Sequence, residues 1–142
     1  MLALTFPGGK RKIVTVPATA GDAEYDLTPG AGKRYRVLTG YIDLVTDVTV
    51  ADRQFLVTLE DGAGNILLHL GKQNTAITAS QTRVVQFSNR PSVGATNITT
   101  MVHAEFMLPD PCILEGADVL KLDVSAGVAG DSYSGYFVVL EL

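Results

Sequence analysis

The chain has 142 residues, a formal net charge of −4, 46% hydrophobic and 18% charged residues, and a single cysteine. One domain accommodates this length. The lack of a large basic block argues against nucleic acid as the main partner, a lone Cys112 excludes an internal disulfide or a cysteine metal cluster, and no apolar run approaches the roughly 18 residues of a membrane span.

Met1 to Phe6 is a short apolar, strand-like segment cut off by Pro7-Gly8-Gly9, followed by the basic cluster Lys10, Arg11 and Lys12. Too short to read as a secretory signal, it reads as an N-terminal arm or edge segment over residues 1–12, with residues 13–142 as the single domain. Leu2, Leu4, Phe6, Lys10, Arg11 and Lys12 are the candidate partner-contacting residues of that arm. The basic cluster also suits a solvated end that keeps an edge strand from aggregating. Lys12 to Val16 is expected as an edge strand ended by Pro17, and Gly21 to Leu27 as a strand whose Asp22, Glu24 and Asp26 share one wet face.

Pro29 to Gly32 is a turn that delivers the chain to Arg34 to Glu60, the centre of the sequence. Two runs rich in β-branched and aromatic residues flank the connection Thr46 to Arg53, which predicts two strands with a loop between them. The first run is long enough to bend or bulge, with Gly40 as the expected place. Alternation puts Leu38, Ile42 and Leu44 on one face and Tyr35, Val37, Tyr41 and Val45 on the other, so both faces need cover and a neighbouring subunit is a candidate for the second.

Asp61 to Asn65 reads as a hairpin turn with Ile66 to Leu70 as the return strand. Gly71 to Gln81 reads as loop, Thr82 to Phe87 and Thr100 to Leu108 as strands, and Ser88 to Thr99 as a long connection. Pro109 and Pro111 stop the chain there, and Cys112 falls in the turn. Val119 to Val124 alternates as a half-buried strand, and Tyr133 to Leu142 is apolar on both faces and therefore central. No window keeps a helical period. The fold class is all-β: a two-sheet antiparallel sandwich of jelly-roll type with about eight strands.

Catalytic chemistry has little to stand on. His69 and His103 lack a second ligand at metal spacing, Cys112 lacks a base, and Gly32-Lys33 fails the phosphate-loop pattern at Leu27 and Arg34. The turn at Asp61 lacks the carboxylates of a calcium loop, Ser132 and Ser134 lack a nucleophile elbow, and Asn97-Ile98-Thr99 matches a glycosylation acceptor by chance. Tyr35, Tyr41, Tyr133 and Tyr136 suit either packing or a sugar-binding groove. The chain reads as a non-enzyme with no cofactor and no metal.

The segment Thr46-Asp47-Val48-Thr49-Val50-Ala51-Asp52-Arg53, set between Gly40-Tyr41 and Leu59-Glu60-Asp61-Gly62, resembles small virion proteins of tailed bacteriophages. Leu108-Pro109, Leu114-Glu115-Gly116-Ala117 and Ala129-Gly130-Asp131-Ser132-Tyr133-Ser134 look similar to the same group. The resemblance covers most of the chain from residue 33 onward. It implies a capsid decoration (cement) protein, made in the bacterial host cytoplasm and carried on the outer capsid surface of the virion. There a jelly-roll domain bridges subunits of the major capsid protein as a homodimer or homotrimer. The alternative is a carbohydrate-binding jelly-roll module of a phage tail or baseplate.

Overall fold

The computed structural model describes residues 8–72, 76–89 and 101–142, and of Lys72 and Met101 to Ala104 the backbone alone. These residues form ten strands and no helix: β1 (Lys10–Ala20), β2 (Tyr25–Leu27), β3 (Arg34–Val45), β4 (Gln54–Glu60), β5 (Ile66–Lys72), β6 (Thr82–Ser88), β7 (Met101–Met107), β8 (Cys112–Glu115), β9 (Val119–Ser125) and β10 (Ser132–Glu141). A six-stranded sheet has the order β1-β10-β3-β6-β7 with β8 also on β3, and a four-stranded sheet has the order β2-β9-β4-β5. The core lies between the two sheets, which both contribute buried side chains to it.

Strand β3 organises the larger sheet. One of its edges pairs with β10 along nearly its whole length. The other edge is divided: β6 covers Thr39 to Val45 and β8 covers Arg34 to Val37. The Leu108 N–H donates to the Ser88 carbonyl at 2.8 Å, so the chain steps inward at the end of β7 and β8 continues the edge where β6 stops. Leu38 is the extra residue of a β-bulge, since Val138 and Val139 pair with Thr39 and Val37. The expected bulge is therefore present, two residues before Gly40.

That bulge changes the phase of the alternation. Tyr35 and Val37 are buried together with Gly40, Ile42 and Leu44, while Tyr41 is half-buried and Val45 exposed. The expected grouping of Tyr35 and Val37 with Tyr41 and Val45 is thus overturned. Gly40 has a different task. Its cross-strand partners are Phe137 and Phe87, whose rings lie 5.3 Å apart, and a Cβ on Gly40 would sit 2.6 Å from the Phe137 ring and 3.0 Å from Phe87. Phe106 stacks on Phe87 at 5.4 Å, and Phe55 of the facing sheet reaches Phe106 at 6.1 Å and Tyr133 edge-on at 5.9 Å. A missing side chain on β3 lets this aromatic row close.

Other expectations are corrected. Strand β1 does not end at Pro17 but runs to Ala20, because a bulge between Val16 and Thr19 lifts the proline out of the ladder on an edge strand. Only Tyr25 to Leu27 of the acidic stretch is strand. Gly21 instead turns the chain, its N–H donating to the Asp131 carbonyl at 2.9 Å. Cys112 lies in a strand rather than a turn. The sheets are not wholly antiparallel, since β6 and β7 run parallel, and β8 brings the strands to ten instead of about eight.

Gly40→Ala is expected to lower stability by about 1–3 kcal/mol through overpacking against the two rings. The urea unfolding midpoint measures this, and the double substitution Gly40→Ala with Phe137→Leu should recover part of the loss.

Candidate functional site

The stretch Thr46 to Arg53 leaves the larger sheet at the end of β3 and enters the smaller one at β4. Arg53 is fully buried and faces a fully buried Asp131. The guanidinium meets the carboxylate in two parallel bonds, Nε to Oδ2 at 2.8 Å and Nη2 to Oδ1 at 3.0 Å. Nη2 also donates to Asp47 Oδ1 at 3.0 Å and Nη1 to the Ala51 carbonyl at 3.2 Å. Asp131 accepts two further bonds, from the Asp47 N–H at 2.9 Å and the Val128 N–H at 3.1 Å. A buried charge is tolerated when it is paired and its remaining hydrogen-bonding positions are filled.

The network gathers four chain connections. Arg53 exchanges both backbone bonds with Ile77 at 3.1 and 2.8 Å, and the Ser80 N–H donates to the Asp47 carbonyl at 2.7 Å. Thr46 Oγ1 donates to the Thr78 carbonyl at 2.7 Å and accepts from the Gln81 N–H at 2.8 Å. The β1–β2, β3–β4, β5–β6 and β9–β10 connections are therefore held at one end of the molecule. Asp47 also caps the tip of its own loop, accepting from the Thr49 N–H at 2.8 Å and the Thr49 hydroxyl at 3.1 Å, a local turn that the Asp-x-Thr spacing favours.

The tip of this loop exposes two valines together with the polar Thr49 and Asp52. Val48 and Val50 stand 82% and 91% exposed above a polar clamp.

The other candidate residues are placed as follows. Leu2, Leu4 and Phe6 lie outside the described residues, as do Asn97 to Thr99. Lys10, Arg11 and Lys12 open the edge strand β1, in register with Glu141, Leu140 and Val139. With Glu141 they line an open cleft of about 260 Å³. Lys12 Nζ donates to the Tyr35 hydroxyl at 3.2 Å and lies 3.5 Å from Glu141, and the Tyr35 contact is the main cause of its raised pKa. Cys112 is buried and burial pushes its thiol up to about 11, which suits packing rather than attack.

The four tyrosines do not share one groove. Tyr35 and Tyr133 are core residues, the latter donating to the Ala23 carbonyl at 2.8 Å, whereas Tyr41 and Tyr136 stack at 5.9 Å on the outer face of the larger sheet. Asp22, Glu24 and Asp26 are exposed as expected, and Lys121 links Glu24 at 3.4 Å to Glu60 at 3.0 Å. Among the described residues no group of three or more histidine, cysteine and acidic side chains could hold a metal ion. Sequence reasoning singled out the segments that contain Arg53 and Asp131 but not their pairing. The readable signal was an arginine placed directly before a buried strand.

Compared with known family models, curated proteins and solved structures, the chain has no significant match.

Arg53→Met should cost about 3–5 kcal/mol by leaving Asp131 buried without its counter-charge. Adding Asp131→Leu should restore much of it, as read from urea unfolding. Asp131 itself is depressed below 3.8: burial raises it, but the bonds from Arg53, Asp47 and Val128 together with the guanidinium charge outweigh burial. Its contribution is full above the unfolded value and lost as pH falls through the lower folded one. Stability should therefore decline on the acid side, and Asp131→Asn should remove that part of the decline in unfolding midpoints measured against pH.

Proposed function

We propose that this chain is a structural virion protein, a capsid decoration (cement) protein that binds the outer surface of a phage shell and bridges subunits of the major capsid protein. The observation that carries the reading is the clamped end, where a buried ion pair fixes four connections and holds Val48 and Val50 out to solvent. A cement protein needs a rigid contact surface and no catalytic residue.

The jelly-roll reading has support in the strand pairing. β1 pairs with β10, β2 with β9, β3 with β6 and β4 with β5, a nested series that alternates between the two sheets. This is how a long hairpin ribbon folds over into two four-stranded layers, with β7 added beside β6 and β8 on the remaining edge of β3.

The shell repeats one surface many times, so a homodimer or homotrimer engages several capsid subunits and effective concentration multiplies modest single contacts. Binding only the assembled shell stabilises it by mass action. In this proposal residues 1–12 supply the arm to a neighbouring subunit, with the apolar Leu2, Leu4 and Phe6 as its contacts and Lys10 to Lys12 at its base.

Cosedimentation with shells of the major capsid protein is expected to show saturable binding at a fixed ratio and a shell more resistant to heat. Val48→Ser with Val50→Ser should weaken that binding about tenfold or more while the unfolding midpoint stays the same. No binding by the unaltered protein would overturn the proposal. Removing residues 1–9 should weaken assembly and shell binding, and unchanged behaviour would eliminate the arm alone.

A further inference from the structure

We infer that the outer face of the six-stranded sheet carries a binding site for one neutral pyranose ring, between a wall of Tyr136, Tyr41 and Gln86 and a wall of Thr39 and Ser88. The two walls are successive cross-strand rows. Tyr136, Tyr41 and Gln86 are partners across β10, β3 and β6, and Thr39 and Ser88 are partners in the next row. Adjacent rows on one face stand roughly 6.6 Å apart, two residues along a strand.

Between them the floor is backbone. The intervening row, Gly40 and Phe87, faces the core, and an open cleft of about 210 Å³ lies on the outer face above its backbone. That lies below the roughly 300–1,000 Å³ of sites for drug-sized ligands, and a single sugar ring is an occupant of matching size.

The chemistry of the two walls selects the ring. Tyr41 and Tyr136 offer aromatic surface with hydroxyl tips. Gln86, Thr39 and Ser88 add amide and hydroxyl groups that both donate and accept. A pyranose has the matching division, an apolar C–H face and a rim of hydroxyls. None of the five side chains is formally charged. A phenol is protonated at neutral pH, and the Tyr41 pKa is raised further, by burial first and then by the charge and hydrogen bond of the Asp43 carboxylate. Tyr35 and Tyr133, buried in the core, take no part.

The site does not depend on shell binding, and its test uses the free full-length chain. Methyl glycosides of glucose, galactose and mannose, and short oligosaccharides of each, are titrated into labelled protein and followed by amide chemical shifts. Saturable shifts centred on Thr39, Gly40, Tyr41, Gln86 and Tyr136, with dissociation constants in the millimolar range, are expected. Gln86→Ala and Tyr41→Ala should each weaken binding about tenfold, whereas Ile13→Ser, on the same face two strands from β3, should leave it unchanged. The dispersion of the same spectra shows whether each variant is folded. Shifts that are absent for every neutral sugar, that arise only with an acidic sugar such as N-acetylneuraminic acid, or that survive both cleft substitutions would overturn the assignment.

Discussion

A guanidinium and a carboxylate removed together from water are the interaction on which one whole end of this molecule depends. Each ion alone would be strongly destabilising in the interior, and their attraction offsets the loss of hydration only because the geometry is bidentate and the remaining positions are occupied. In this chain those positions are filled by backbone groups of Asp47, Ala51 and Val128. The pair therefore forms only when two separate connections, β3–β4 and β9–β10, are in their native places, and Gly21 of the β1–β2 connection joins through the Asp131 carbonyl. Replacing such a pair by apolar residues of similar volume is often neutral for stability, so what this pair visibly does here is tie together the connections that supply its hydrogen bonds.

The two sheets present different outer faces. On the smaller sheet Asp26, Thr58 and Lys121 are neighbours in register, and Lys121 bridges Glu24 and Glu60, so the β2-β9-β4 part of that face has a polar, internally paired patch, while Ile66, Leu67 and Leu68 on β5 are exposed. On the larger sheet Ile13 and Val45 are exposed and Tyr41 stacks on Tyr136. A charged face is already well solvated, whereas an aromatic and aliphatic one gains by contact.

The sheet edges are managed by irregularity. β1 carries Lys10, Arg11 and Lys12 and is broken by a bulge at Pro17, and β5 departs from regular pairing with β4 at two places. Interrupted and charged edges offer poor templates for a further strand. The exposed Ile66 and Leu67 on β5 are thereby kept off a flat, continuous ladder.

Local chemistry determined much of this architecture. β-branched and aromatic runs bounded by Gly, Pro and Asp placed β3, β4, β5, β6, β9 and β10 nearly to the residue, and the acidic face of β2 followed from alternation, because those signals act over a few neighbouring residues. The absence of helical periodicity decided the all-β class in the same way. What only the tertiary structure decided was every feature that depends on a distant partner. The bulge falls at Leu38 and not at Gly40 because the ladder with β10 sets the register, and Gly40 is small because Phe137 and Phe87 meet over it. β8 is a strand because β6 stops short and leaves an edge of β3 to be paired. Arg53 and Asp131, 78 residues apart, look like ordinary loop charges until folding puts one opposite the other and removes both from water.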